Sequence, residues 1–178
     1  PFVAVTGGSK VSDKLGVIEA LLDIADELII GGGMCFTFLG AMGHSVGGSL
    51  FEHDQVDNCK RLLAEHGDRL HLPTDIVGLS ADGKLFEPDA GGEVRHFGRD
   101  LPDGWMGVDV GPESAGNFAD VILGAGTILW NGPMGVFEDP RFEAGTKVVA
   151  EAVAESKRVA VIGGGDSAAA IAQFGLAS

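Results

Sequence analysis

Apolar residues along this chain come in short runs that end at glycine, and each glycine turn leads into a segment with helical spacing. Phe2-Val3-Ala4-Val5-Thr6 reads as a buried strand, with Gly7-Gly8-Ser9-Lys10 as the turn after it. Ser12 then suits a helix N-cap, with Asp13 in the first turn. Leu15, Ile18 and Leu22, joined by Val17 and Leu21, recur at helical spacing and form an apolar face. The plan repeats, with Glu27–Ile30 as a strand, Gly31-Gly32-Gly33 as a turn and a helix from Met34 to Met42. A third helix is predicted from Asp54 to Glu65. Arg69–Leu72 and Thr74–Leu79 read as strands parted by Pro73, and Ser80-Ala81-Asp82-Gly83 as a turn. Residues 84–104 mix charge, glycine and proline and read as a surface excursion. Asn117–Leu123 is predicted helical, and Thr127–Trp130 is a strand leading into Asn131-Gly132-Pro133-Met134-Gly135. Phe142–Ala154 follows as a helix. Arg158–Ile162 is the last strand, followed by Gly163-Gly164-Gly165-Asp166 and a helix from Ser167.

Strands alternating with helices predict a mainly parallel sheet covered on both faces, a three-layer, Rossmann-like α/β fold. The 178 residues suffice for one domain with its own core. Right-handed crossovers bring the C-terminal ends of the strands to one edge. Four glycine-rich turns follow strands directly and gather there, where open α/β sheets bind ligands. Backbone N–H groups at a helix start bind phosphate oxygens, and glycine lets that backbone come close. One such turn often serves packing alone. Four on one edge argue for a ligand.

Composition narrows the ligand. Glycine fills 29 positions, about twice its usual share and without collagen periodicity, which marks it as loop chemistry. A net charge of −14 argues against nucleic acid. The absence of a basic amphipathic stretch argues against a membrane surface. The apolar runs are too short to span a bilayer, and none has the pattern of a signal peptide. Cys35 and Cys59 lack the spacing of a disulfide framework or a metal site, which fits a reducing cytoplasm. The chain opens at Pro1, without Met and inside a strand, as expected of a piece of something longer.

Against this acidic background Lys10 and Lys14 flank the first turn, four residues apart, and suggest a local anion site. Lys10 lies inside the turn, where a phosphate would sit, while Lys14 alone reads more readily as a solvated lysine. Asp166 begins a helix, where it can be an N-cap or a ligand to Mg²⁺ carried on nucleotide phosphates. Asn131 and Glu138 flank the Trp130 turn and either bond a ribose hydroxyl or hold the turn. His44, His53, His66, His71 and His96 show no paired metal spacing and read as surface residues. Cys35 reads as core rather than nucleophile. The phosphate-loop motif G-x-x-x-x-G-K-[ST], the dinucleotide motif G-x-G-x-x-G and the Gly-x-Ser-x-Gly elbow are all absent.

Five motifs then stand in one order. They are Gly7 to Lys14, Gly31 to Met34, Trp105-Met106-Gly107-Val108-Asp109, Trp130 to Glu138, and Gly163 to Ser167. In that order they resemble phosphoglycerate kinase, over essentially the whole chain, with the Trp130–Glu138 nonapeptide the most specific part. The resemblance implies the C-terminal, nucleotide-binding domain of a two-domain kinase. Such a kinase moves a phosphoryl group between 1,3-bisphosphoglycerate and Mg-ADP, giving 3-phosphoglycerate and ATP in glycolysis. It implies a monomer, with the sugar acid held by an N-terminal domain that would precede Pro1. A further Gly-Gly-Gly-Ala-Ser segment would lie beyond Ser178.

Carried over by position, Lys10 resembles the lysine that contacts the transferring phosphoryl group, and Lys14 the lysine on the α-phosphate side. Gly8, Ser9, Gly32 and Gly33 are similar to positions lining the nucleotide. Gly107 and Val108 resemble part of the base pocket. Asn131, Pro133, Gly135, Val136 and Glu138 match the adenosine and ribose stretch. Gly165 and Asp166 resemble the metal-bearing helix start, with Asp166 the Mg²⁺ ligand. Ser167 stands where many members have Thr, and keeps a hydroxyl. Nucleotide binding without turnover is the expectation for this chain alone. Two other readings compete. A dinucleotide module of an oxidoreductase predicts NAD binding, and a non-enzymatic interaction domain predicts no nucleotide affinity.

Overall fold

The computed structural model describes residues 1–156 and 159–176. Five strands form one wholly parallel sheet: β1 (Phe2–Thr6), β2 (Glu27–Ile30), β3 (Leu70–His71), β7 (Thr127–Asn131) and β8 (Val159–Gly163), in the order β3-β2-β1-β7-β8. Apolar β1 lies at the centre because a middle parallel strand is buried on both faces. Its side chains alternate between two cores. Ala4 packs with α1 (Val11–Ile24), α2 (Cys35–Ala41) and α3 (Val56–His66). Val3 and Val5 pack with α4 (Pro112–Leu123), α5 (Ala144–Glu155) and α6 (Gly165–Gln173). The result is the expected three-layer α/β fold. None of the described helices is long and apolar enough to cross a membrane.

A second sheet departs from the sequence reading. β4 (Ile76–Ser80) pairs antiparallel with β5 (Val94–Phe97) on one side and β6 (Trp105–Val110) on the other. The segment read as an irregular excursion thus contributes a strand. It escaped notice because Val94, Arg95 and His96 are all exposed, which leaves no apolar alternation to read. β6 was not assigned to any element. Gly107 interrupts its apolar run, and the ring of Phe36 fills the space where a Cβ would stand.

The start of α1 also differs. Ser12 is not an N-cap. Lys10 holds the extended cap position, and the helix opens with fully buried Val11. The cap comes from outside, because Glu52 accepts a hydrogen bond from the Ser12 N–H at 3.2 Å. α4 contains the whole stretch Asn117–Leu123 read as helical and extends N-terminally to Pro112, in its first turn. Asp75 caps it from a distant loop, accepting from the N–H groups of Glu113 (3.0 Å) and Ser114 (2.8 Å). Arg158, placed in the last strand from sequence, lies outside the described residues.

Candidate functional site

The four glycine turns meet at the C-terminal edge of the parallel sheet, and backbone hydrogen bonds lace the first three together. Gly7 N–H donates to Asn131 O (2.9 Å), Met34 N–H to Gly8 O (2.9 Å) and Gly32 N–H to Met134 O (3.1 Å). Glycine is required where the turns touch. At Gly32, φ is +74° and a Cβ would lie 2.6 Å from Gly8 N. At Gly132, φ is +102° and a Cβ would collide with the Gly7 carbonyl.

These turns enclose two connected clefts. The first, of about 360 Å³, runs between Gly8, Ser9, Gly32 and Gly33 on one side and Met106, Gly107 and Val108 of β6 on the other. Leu50, Leu85, Pro133, Gly135, Val136 and Glu138 complete its rim, and Cys35, Phe36 and Asp109 reach it from α2 and β6. The second, of about 250 Å³, is lined by backbone of Gly7, Gly8, Gly132, Gly164 and Gly165, with Lys14, Asn131, Asp166 and Ser167. Gly8, Pro133 and Asp166 belong to both. One compartment is mainly apolar and slot-like. The other is rich in glycine backbone and carries a cation and a carboxylate.

All the residues singled out from sequence line one cleft or the other except Lys10, which is exposed at the α1 cap and lines neither. Lys10 and Lys14 therefore do not share a helix face, because the helix begins only at Val11. Lys14 Nζ donates to Asn131 Oδ1 at 3.1 Å, which ties the start of α1 to the third turn. The Ser167 hydroxyl is fully buried and accepts from Gly132 N–H at 2.6 Å, so it holds the turn together rather than facing the cleft openly.

The electrostatics are uneven. Asp109 is 3% exposed, and burial pushes its carboxyl up to about 7 against the N–H donors of Gly145 and Val110, with the charge of Asp75 adding to the rise. Burial also pushes the Cys35 thiol up, which leaves it protonated and inert. At Glu52 burial works upward but is outweighed by hydrogen bonds from Ser12 and Val11 and by the charge of Lys10, so its carboxyl sits below the usual range.

Among the described residues no group of three His, Cys, Asp or Glu side chains could hold a metal by itself. Asp166 is a single exposed carboxylate at the start of α6, facing both clefts. That donor set fits Mg²⁺ arriving on phosphate oxygens, which needs only one or two carboxylates and keeps its waters. Leu50, Leu85, Phe36 and Asp109 were not read as site residues. Leu50 and Leu85 come from irregular segments with no local signal, and Phe36 looks like any core residue. Asp109 had a signal, as a carboxylate within an apolar run.

The profile of the phosphoglycerate kinase family matches residues 1–178. The chain is 56% identical to a phosphoglycerate kinase of Corynebacterium urealyticum and 58% identical to one of a Parafrankia species, in both cases over 99% of this chain and 43% of the relative. Among solved structures, phosphoglycerate kinase from Coxiella burnetii superposes with a TM-score of 0.91 at 40% identity, over 99% of this chain and 45% of that one. The enzyme from Pyrococcus horikoshii does so with a TM-score of 0.81 at 30% identity, over 98% and 44%. The chain thus spans less than half the length of the relatives it matches. With the family profile covering every residue and the fold shared, this chain belongs to the phosphoglycerate kinase family.

Proposed function

We propose that this chain is the nucleotide-binding domain of a phosphoglycerate kinase, supplying the ADP/ATP site for reversible phosphoryl transfer between 1,3-bisphosphoglycerate and Mg-ADP. The observation that carries the reading is the junction of the two clefts at Gly8, Pro133 and Asp166. An apolar slot that opens into a glycine-backbone compartment with one lysine and one carboxylate suits an adenine joined through ribose to phosphates. Gly107, Val108, Gly135 and Val136 would flank the base, with Asn131 and Glu138 near the ribose. Lys14 and the N–H groups of the glycine turns would hold the phosphates. Mg²⁺, when bound through Asp166, would offset charge on the phosphate oxygens.

Lys10, exposed at the α1 cap, would meet the transferring phosphoryl group from outside the two clefts. The sugar acid would be held by residues outside this chain. Phosphoryl transfer depends on in-line positioning of donor and acceptor, so the chain alone binds nucleotide without turnover. A monomer working in the cytoplasm fits this role. The competing NAD reading gains no support, since its glycine fingerprint is missing.

Calorimetric titration tests this directly. Mg-ADP binds saturably and NAD does not. Lys14→Ala weakens Mg-ADP binding by about tenfold, the worth of one charge-assisted hydrogen bond. Asp166→Ala removes the gain in affinity that Mg²⁺ provides. Lys10→Ala changes affinity by less than Lys14→Ala. A folded chain that ignores Mg-ADP, or that prefers NAD, would sink the proposal.

A further inference from the structure

An ion pair outside the two clefts reaches back over the first of them. Asp139 is fully buried and follows the Val136–Glu138 stretch that rims the slot. Arg141 clasps its carboxylate with two prongs, Nη2 to Oδ2 at 2.7 Å and Nε to Oδ1 at 3.1 Å. Each partner then has a bond to spare, and both go to the same distant segment. Asp139 Oδ2 accepts from Phe86 N–H at 2.8 Å, and Arg141 Nη2 donates to Lys84 O at 2.7 Å. The residue between those two anchors is Leu85, which lines the slot beside Met106 and Val136.

The anchored segment is strained. Glu87 N–H bonds back to Lys84 O at 3.4 Å, which closes a four-residue turn with Phe86 at its third position. Phe86 has φ +66° there and is the one non-glycine residue with positive φ among the described residues. A turn of this kind ordinarily takes glycine at that position. A bulky residue with positive φ persists only where its surroundings over-determine it. Phe86 is largely exposed, so packing does not hold it. The hydrogen bond that Phe86 donates to Asp139, and the one that Lys84 accepts from Arg141, do. The arginine's hydrogen bonds hold the Asp139 carboxyl below its usual range, so the pair stays ionised at neutral pH.

We propose that the Asp139–Arg141 pair is a positioning clasp, which fixes Leu85 over the base slot and so sets affinity for the base of the nucleotide without touching its phosphates. The proposal rests on the nucleotide reading above. Neither Asp139 nor Arg141 lines either cleft, so any effect on binding must pass through the clasped segment.

The test compares Mg-ADP with Mg-pyrophosphate, which carries no base, on the wild-type chain, Asp139→Asn, Leu85→Ala and the double variant. The clasp predicts that each single substitution weakens Mg-ADP by about tenfold, a typical loss for one buried apolar contact at a binding site. The double variant is no weaker than the worse single, because without the Leu85 side chain the clasp has nothing left to position. Mg-pyrophosphate affinity stays within about twofold of wild type throughout. Arg141→Lys keeps a cation beside Asp139 but loses the planar fork, and gives a smaller, equally base-selective loss; it replaces Asp139→Asn should that variant not fold. Equal losses for both ligands, or losses that multiply in the double variant, would overturn the clasp. A wild-type chain that binds neither ligand would remove the nucleotide reading, and the clasp with it.

Discussion

Replacing Asp109 by Asn should alter how stability depends on pH in a way that no exposed carboxylate can. Asp109 is 3% exposed, and burial raises its carboxyl from the ordinary 3.8 to about 7. Between those values the folded chain holds a proton that the unfolded chain has released. Stability therefore falls as pH rises through this window, and the loss is complete once pH exceeds the folded value. From pH 5.5 to 8 the folded group gives up most of that proton, which at about 1.4 kcal/mol per pH unit comes to about 2 kcal/mol of lost stability. Carboxylates held below their usual range, such as Asp139 and Glu52, contribute in the opposite sense but only at lower pH. In Asp109→Asn the falling limb should vanish. Asn supplies one acceptor oxygen where the N–H groups of Val110 and Gly145 each use a separate one, so the variant starts lower near pH 5.5 and meets or passes wild type near pH 8. The assay is guanidinium unfolding at half-unit steps from pH 5.5 to 8. Parallel curves for the two proteins would refute the buried-carboxylate account.

Ser167→Ala leaves the buried Gly132 N–H without its acceptor and should cost about 1–3 kcal/mol in denaturant unfolding; a loss under about 0.5 kcal/mol would show that the hydroxyl is not a strut. Gly132→Ala must place a Cβ at φ +102° and against the Gly7 carbonyl, so it should lose at least about 2 kcal/mol and weaken Mg-ADP binding at the same time. A thermal melt near wild type would contradict that packing.

Much of the fold was legible in order along the chain. Parallel strands buried on both faces are continuous apolar runs, and β1, β2 and β7 read as such. The antiparallel sheet was not legible, since β5 is exposed and β6 is broken by Gly107 and Asp109. The start of α1 was misread because part of its cap is supplied from far along the chain, by Glu52, and Asp75 caps α4 in the same long-range way. Local signals report only local partners.

The candidate site divides in the same way. By itself the sequence determined which turns could bind phosphate, because glycine runs after apolar strands have one geometric outcome: they collect at the C-terminal edge of a parallel sheet. It also put Lys10, Lys14, Asn131 and Asp166 forward as candidates, each with a structural reading beside the functional one. Only the tertiary structure decided what those residues do beside one another. It joined Lys14 to Asn131, turned the Ser167 hydroxyl inward to Gly132, and left Lys10 outside both clefts. It alone brought Leu50 and Leu85 to the slot and bound Asp139 and Arg141 to a segment some fifty residues earlier. Such contacts depend on how irregular segments fold back over the sheet, and no periodicity within a short stretch records that path.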